Sequence, residues 1–209
     1  MQLKDLIGKQ VHFVGIGGSG MSGLARIAIS HGIKVSGSDS SDSSVLNALR
    51  AIGADVFVGH KTENIAGADL VVYSNAIKES NPERQAALTS GIQQITRAAA
   101  LALLMTESIS IAVAGTHGKT TTSSMATVAL QSAGVDPSFA IGGILKSSGS
   151  NAHRGSGKYF VAEADESDGS FVAYHPHAAI ITNVEWDHVD HFATEAEVFK
   201  VFEEIGRAH

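Results

Sequence analysis

Val11-His12-Phe13-Val14-Gly15-Ile16-Gly17-Gly18-Ser19-Gly20 is a short apolar run broken by glycines. The apolar part reads as a buried strand, and Gly20 to His31 reads as the helix behind it. Between them Gly15, Gly17 and Gly20 satisfy G-x-G-x-x-G in the strand-turn-helix setting where that spacing has meaning. Glycines let the backbone approach a diphosphate, and the N-terminus of the helix supplies partial positive charge. Asp39, nineteen positions past Gly20, stands at the end of the expected second strand, where a ribose hydroxyl could be bound. By itself this segment predicts a dinucleotide or sugar-nucleotide site and makes an NAD(P)-linked oxidoreductase the first reading. The diphosphate is common to both ligand classes, so the motif does not choose between them.

Working outward, the same rhythm repeats. Strands are expected at Lys34 to Gly37, Asp55 to Val58, Leu70 to Tyr73 and Gln93 to Thr96, with a helix around Val45 to Ala51. Another helix begins at Pro82, capped by Asn81. A second unit of the same kind starts near Glu107. Ile109 to Ala114 is a strand, Lys119 to Ala133 a helix with Gly134 at its end, and Phe139 to Ile141, Tyr159 to Ala162 and Ala178 to Thr182 are further strands. Glu195 to Ile205 has helical spacing. The Gly- and Ser-rich stretch from Gly142 to Gly157 reads as a mobile loop. Alternation of this kind predicts an α/β protein with parallel sheets covered by helices on both faces. Two domains are expected: 1–106, Rossmann-like, and 107–209, the first part of a P-loop ATPase-like α/β domain.

Composition narrows the partners. The 209 residues carry a net charge of −6 and no cysteine, which argues against non-specific nucleic-acid binding and excludes disulfides and thiolate metal sites. No apolar run reaches the length of a membrane span, and the N-terminus lacks a signal peptide's apolar stretch, so a cytoplasmic location is expected.

The second glycine turn changes the reading. Ala114-Gly115-Thr116-His117-Gly118-Lys119-Thr120-Thr121-Thr122 contains the Gly-Lys-Thr core of a phosphate loop, although Val113 stands where the common pattern begins with glycine. In such a loop the backbone from Gly115 to Thr121 cradles phosphates, Lys119 reaches the β- and γ-phosphates of ATP, and the Thr120 hydroxyl binds Mg²⁺. Glu163 follows a strand and should project at its carboxyl end, where its hard oxygens would suit the same Mg²⁺. A dehydrogenase has no need of an ATP loop, whereas an ATP-driven ligase needs both an ATP loop and a substrate site. The acidic neighbours Asp165, Glu166 and Asp168 read equally well as a solvated turn. His175, His177, His188 and His191 with Asp187 and Asp190 could suggest zinc, but all except His188 read better as an exposed loop.

Four stretches together carry a specific resemblance: Val14 to Gly23, Gly115 to Thr122, Glu163 to Phe171, and Thr182-Asn183-Val184-Glu185-Trp186-Asp187-His188. In order and spacing they are similar to the motifs of the Mur ligases, from Val11 to His188, and the Thr116-His117 pair and the glycine opening resemble the L-alanine-adding branch. The resemblance implies that Gly15, Gly17, Gly18, Ser19, Gly20, Met21 and Asp39, with Ser74 and Asn75, bind UDP-N-acetylmuramate. It implies that Lys119, Glu163 and His188 are catalytic, and that Thr120, Glu163 and His188 hold metal, His188 at a second position. Arg97 resembles the family's residue at the junction between domains. Asn151-Ala152-His153-Arg154 resembles a substrate-contacting stretch, with His153 where the family has Arg. The implied reaction joins L-alanine to the lactyl carboxylate through an acyl phosphate. The family has three domains, so this chain would be an incomplete enzyme, inactive alone. An NAD(P)-binding oxidoreductase, a non-catalytic UDP-sugar-binding or regulatory module, and a related ligase that attaches a whole peptide are the other readings.

Overall fold

The computed structural model describes residues 1–165, 173–186, 192 and 194–206, with side chains to 204. It forms two compact units, Met1–Leu104 and Met105–His209.

In the first unit the strands are β1 (Gln10–Val14), β2 (Lys34–Asp39), β3 (Asp55–Val58), β4 (Leu70–Tyr73) and β5 (Gln93–Thr96). The helices are α1 (Ser19–Ser30), α2 (Ser44–Ala51), α3 (Pro82–Thr89) and α4 (Arg97–Met105). Every strand pairing is parallel, in the order β3-β2-β1-β4-β5. Side chains alternate between the faces of a sheet, so burial of all four residues from Val11 to Val14 requires cover on both faces. Edge strands β3 and β5 carry no fully buried residue. The caps follow local chemistry: Ser43 Oγ accepts from Leu46 N–H at 3.3 Å, and Asn81 Oδ1 accepts from Glu83 N–H at 2.9 Å with Pro82 in the first turn.

The strand order places a reversal between β1 and β4. β2 and β3 lie to one side, β4 and β5 to the other. In open parallel sheets, ligands bind beyond the carboxyl ends of the strands at such a reversal. The Gly15 turn leaves β1 there and the Ser74 turn leaves β4 beside it.

The second unit contains β6 (Ile109–Ala114), α5 (Lys119–Ser132), β7 (Ser138–Leu145), β8 (Ser150–His153), β9 (Tyr159–Glu163), β10 (Ala178–Ile181) and α6 (Glu195–Gly206). Its sheet runs β10-β6-β9-β7-β8, parallel except for the β7–β8 pair. That pair corrects the expectation of a mobile loop over 142–157. Leu145 and Ala152 are buried and give the segment an apolar side, and Gly149 makes the turn at φ 64°. Gly157 donates to the Asp136 carbonyl at 2.8 Å, and an added Cβ on Gly155 would run into that same carbonyl. Glycines that suggested flexibility here serve close backbone approach. Helix α4 is a second difference, since its Ala- and Leu-rich run reads from sequence only as a junction. Among the described residues no helix is long and apolar enough to cross a membrane.

Candidate functional sites at two glycine turns

In the first unit the turn after β1 is held from below. Gly15 N–H and Ile16 N–H both donate to the Ser38 carbonyl, at 2.8 and 3.0 Å. Gly15 has φ 81°, a conformation in which a side chain is strained. Gly18 caps α1, and Ser19 and Gly20 open it. The Met21 side chain is buried, so only its main chain faces the turn.

Asp39 does something the spacing did not reveal. Its Oδ2 accepts from Gly17 N–H at 2.9 Å, and its Oδ1 accepts from Ser40 N–H at 2.8 Å. The carboxylate clasps the glycine turn. An added Cβ at Gly17 would lie 2.8 Å from Asp39 Oδ2, so glycine is required for that clasp. Across the turn, the Ile77 side chain lies 3.4 Å from the position of a Gly15 Cβ, which sets the Ser74–Ile77 turn, with Ser74 and Asn75, against the loop. Arg97 lies against the start of α1: a Cβ on Gly20 would be 3.3 Å from its Nη1. A guanidinium therefore accompanies the helix N-terminus.

Beneath Ser38 is a buried carboxylate absent from the sequence reading. Glu83 is 0% exposed. Ser38 Oγ donates to its Oε2 at 2.5 Å and Asn64 Nδ2 to its Oε1 at 2.6 Å; His60 Nδ1 is 3.1 Å and His12 Nε2 3.7 Å away. Burial pushes this carboxyl up, but the pull of His12, Ser38 and Asn64 outweighs it and holds the pKa at about 2, against an ordinary 4.5. The chain of contacts from Glu83 through Ser38 to the Gly15 amide ties this network to the turn.

In the second unit the phosphate loop leaves the carboxyl end of β6. Gly115 (φ 135°) and Gly118 (φ 83°) supply the left-handed positions, and α5 starts at Lys119 with its first N–H groups lacking intrahelical carbonyls. Lys119 Nζ donates to the Gly115 carbonyl at 2.6 Å and the Thr116 carbonyl at 3.2 Å. Thr120 Oγ1 donates to Glu163 Oε1 at 3.0 Å. Glu163 Oε2 accepts from Gly142 N–H at 2.7 Å and lies 3.5 Å from Ser123 Oγ. Hydroxyl and carboxylate thus converge at the head of α5, a hard-oxygen pair of the kind Mg²⁺ takes.

The 182–185 segment buttresses the loop. Asn183 accepts from Thr116 N–H at 3.2 Å through its carbonyl and from His117 N–H at 2.9 Å through Oδ1. Thr182 Oγ1 donates to the His117 carbonyl at 2.5 Å, and Glu185 N–H donates to Thr116 Oγ1 at 2.9 Å. The amides of Thr116 and His117 are therefore engaged within the protein, a departure from the expected phosphate cradle running unbroken from Gly115 to Thr121. His188, like Glu166, Asp168, Asp187, Asp190 and His191, lies outside the described residues. Among the described residues no three His, Asp or Glu side chains form a metal cluster. His177 is engaged with Ser110 at 3.3 Å, and His153 pairs with Asp136 at 3.1 Å.

Comparison with known proteins follows this division. Residues 10–108 match the model of the Mur ligase family, catalytic domain, and residues 113–209 match that of the Mur ligase middle domain. The crystal structure of a UDP-N-acetylmuramate:L-alanyl-gamma-D-glutamyl-meso-diaminopimelate ligase from Neisseria meningitides superposes with a TM-score of 0.88 at 34% identity, over 96% of this chain and 68% of that one. The chain belongs to the Mur ligase family. Another Mur ligase structure, a UDP-N-acetylmuramate-alanine ligase from Thermotoga maritima, gives a TM-score of 0.87 at 33% identity over 95% of this chain and 47% of that one. Among curated Mur ligases, the UDP-N-acetylmuramate–L-alanine ligase of Renibacterium salmoninarum is 52% identical over 97% of this chain and 43% of its own length. That of Saccharopolyspora erythraea is 54% identical over 93% and 41%. The chain spans less than half the length of these curated Mur ligases.

Proposed function

We propose that this chain is the nucleotide-binding front part of an ATP-dependent ligase that joins L-alanine to the lactyl carboxylate of UDP-N-acetylmuramate in the bacterial cytoplasm. The observation that carries the proposal is the meeting of Lys119, Thr120 and Glu163 at one phosphate loop, in a unit that follows a second, separate glycine turn suited to a diphosphate. The choice of acceptor is supported by the names of the curated relatives. A ligase that attaches a whole peptide, the activity named for the Neisseria protein, is the second reading; the two solved structures stand level at 33 and 34% identity, and the 52 and 54% identity to curated L-alanine ligases favours the first.

In this account the main chain of Gly15, Gly17, Gly18, Ser19, Gly20 and Met21 takes the diphosphate of the sugar nucleotide, with Ser74 and Asn75 across the reversal. Asp39 keeps the turn in shape, and its remaining lone pairs can still accept from a ribose hydroxyl. Lys119 leaves the loop carbonyls to meet the β- and γ-phosphates of ATP. Thr120 and Glu163 supply oxygens to Mg²⁺, which when bound would neutralise phosphate charge; His188 is assigned to a second metal position by family resemblance alone. The lactyl carboxylate attacks the γ-phosphorus, ADP leaves, and an acyl phosphate forms. The amine of L-alanine then attacks the acyl carbon, a proton is lost, and phosphate departs as the amide forms. The chain's part is positioning and charge neutralisation, as in phosphoryl transfer generally.

Titration calorimetry tests the proposal on the chain itself. It should bind one equivalent of ATP in the presence of Mg²⁺, and much more weakly in EDTA. Failure to bind ATP under either condition would contradict the proposed role of the second unit.

A further inference from the structure

We infer that Gly142 and Gly143, on β7, are positioning residues for the Thr120–Glu163 oxygen pair, and that their lack of side chains sets the Mg²⁺ dependence of nucleotide binding. This rests on the proposed ATP site. Neither glycine has a positive φ, so the backbone does not demand glycine at either position. The space does. A Cβ on Gly142 would stand 2.7 and 2.9 Å from the two Glu163 carboxylate oxygens, and a Cβ on Gly143 would stand 2.8 Å from the Thr120 methyl. Adjacent glycines thus each make room for one member of the pair.

Gly142 also acts positively, since its N–H donates to Glu163 Oε2 at 2.7 Å. The local strand geometry accompanies this contact. Ala140 pairs with Ala152 and Leu145 with Ser150, so five positions along β7 answer two along β8. The stretch between them is displaced from the ladder as a bulge, a device that re-aims strand groups beside functional sites. Here it brings a main-chain donor onto a carboxylate that ends β9. A carboxylate fixed by a donor outside the metal's own ligands needs little reorganisation when a cation arrives. Loss of such outer support typically weakens metal binding by about 10- to 100-fold.

The test measures the Mg²⁺ concentration that half-maximally enhances ATP binding to the chain, with thermal melting as the check on folding. Gly142→Ala and Gly143→Ala should each raise that midpoint about tenfold or more. Thr120→Ser keeps the hydroxyl and removes the methyl that the Cβ added by Gly143→Ala would strike. Combining the two substitutions should therefore bring the midpoint back close to that of Thr120→Ser alone. A purely structural defect would not be relieved in this way, and the Gly143 pair remains informative if Gly142→Ala does not fold. Unchanged midpoints in both alanine variants would overturn the inference, as would a double variant no better than Gly143→Ala. If ATP binding to the unsubstituted chain ignores Mg²⁺, the Mg²⁺ part of the nucleotide-site proposal falls, and this inference with it.

Discussion

Lys119→Ala should all but eliminate ATP binding by this chain, and the matching substitution in a full-length Mur ligase should all but eliminate ATP turnover. Lys119 is the cation of the phosphate loop, half-buried, with its ammonium on the Gly115 and Thr116 carbonyls. Those carbonyls hold it over the turn where the phosphates are proposed to lie. Charge-assisted contacts of this kind are worth about 2–4 kcal/mol, which corresponds to a loss of roughly 30- to 1000-fold. Lys119→Arg separates charge from shape, because the wider guanidinium cannot re-enter the same narrow turn. It should recover part of the binding and little of the turnover. Near-native ATP affinity in the alanine variant, measured by calorimetry at saturating Mg²⁺, would remove Lys119 from the site.

Glu83→Ala should cost the first unit about 3–5 kcal/mol, because it strands the fully buried Ser38 hydroxyl and His12 imidazole. Ser38, Asn64, His60 and His12 all face this one carboxylate. The loss should be felt at the Gly15 turn, whose amides rest on the Ser38 carbonyl. Native-state hydrogen exchange of β2 and α3 amides reads it without interference from the second unit. The pH dependence has a definite sign. The folded pKa is about 2 and the ordinary value 4.5, so the unfolded chain binds the proton more readily. The stabilisation is fully present above about pH 4.5 and is lost as pH falls toward 2, amounting to something on the order of 3 kcal/mol. Glu83→Ala should flatten that acid limb. An unchanged acid limb would mean that Glu83 does not carry it.

Much of the fold was legible because the strands announce themselves. The runs 55–58, 70–73, 93–96 and 109–114 are strands with those same limits; all but 93–96, which begins Gln-Gln and leads directly into α4, are short apolar runs closed by a glycine or polar turn. The β7–β8 hairpin escapes a sequence reading because Gly and Ser serve flexible loops and tight turns alike. Only the partners of Gly155 and Gly157 distinguish the two, and they come from Asp136, earlier in the chain. Helix α4 escapes it because Arg97-Ala98-Ala99-Ala100-Leu101 has little polar contrast from which to read a helical face.

For the sites, the spacing of Gly15, Gly17 and Gly20 and of Gly118, Lys119 and Thr120 located the turns, since a phosphate loop is a local motif. What the side chains do across the sheet was not local. Asp39 was expected at a ribose and is found clasping Gly17. Glu83 reads as an ordinary acid in the first turn of a helix, and its role depends on strands β1 and β2. Asn183 lay inside a recognised motif, yet nothing in its spacing told that it would engage the phosphate-loop amides.

The central claim is that the first glycine turn serves a ligase's sugar nucleotide and not a dinucleotide cofactor. Titrating the chain with UDP-N-acetylmuramate, with NADH as competitor, tests it most directly. Stoichiometric binding of the sugar nucleotide, undisturbed by NADH, is the predicted result. Binding of NADH with no binding of the sugar nucleotide would contradict it.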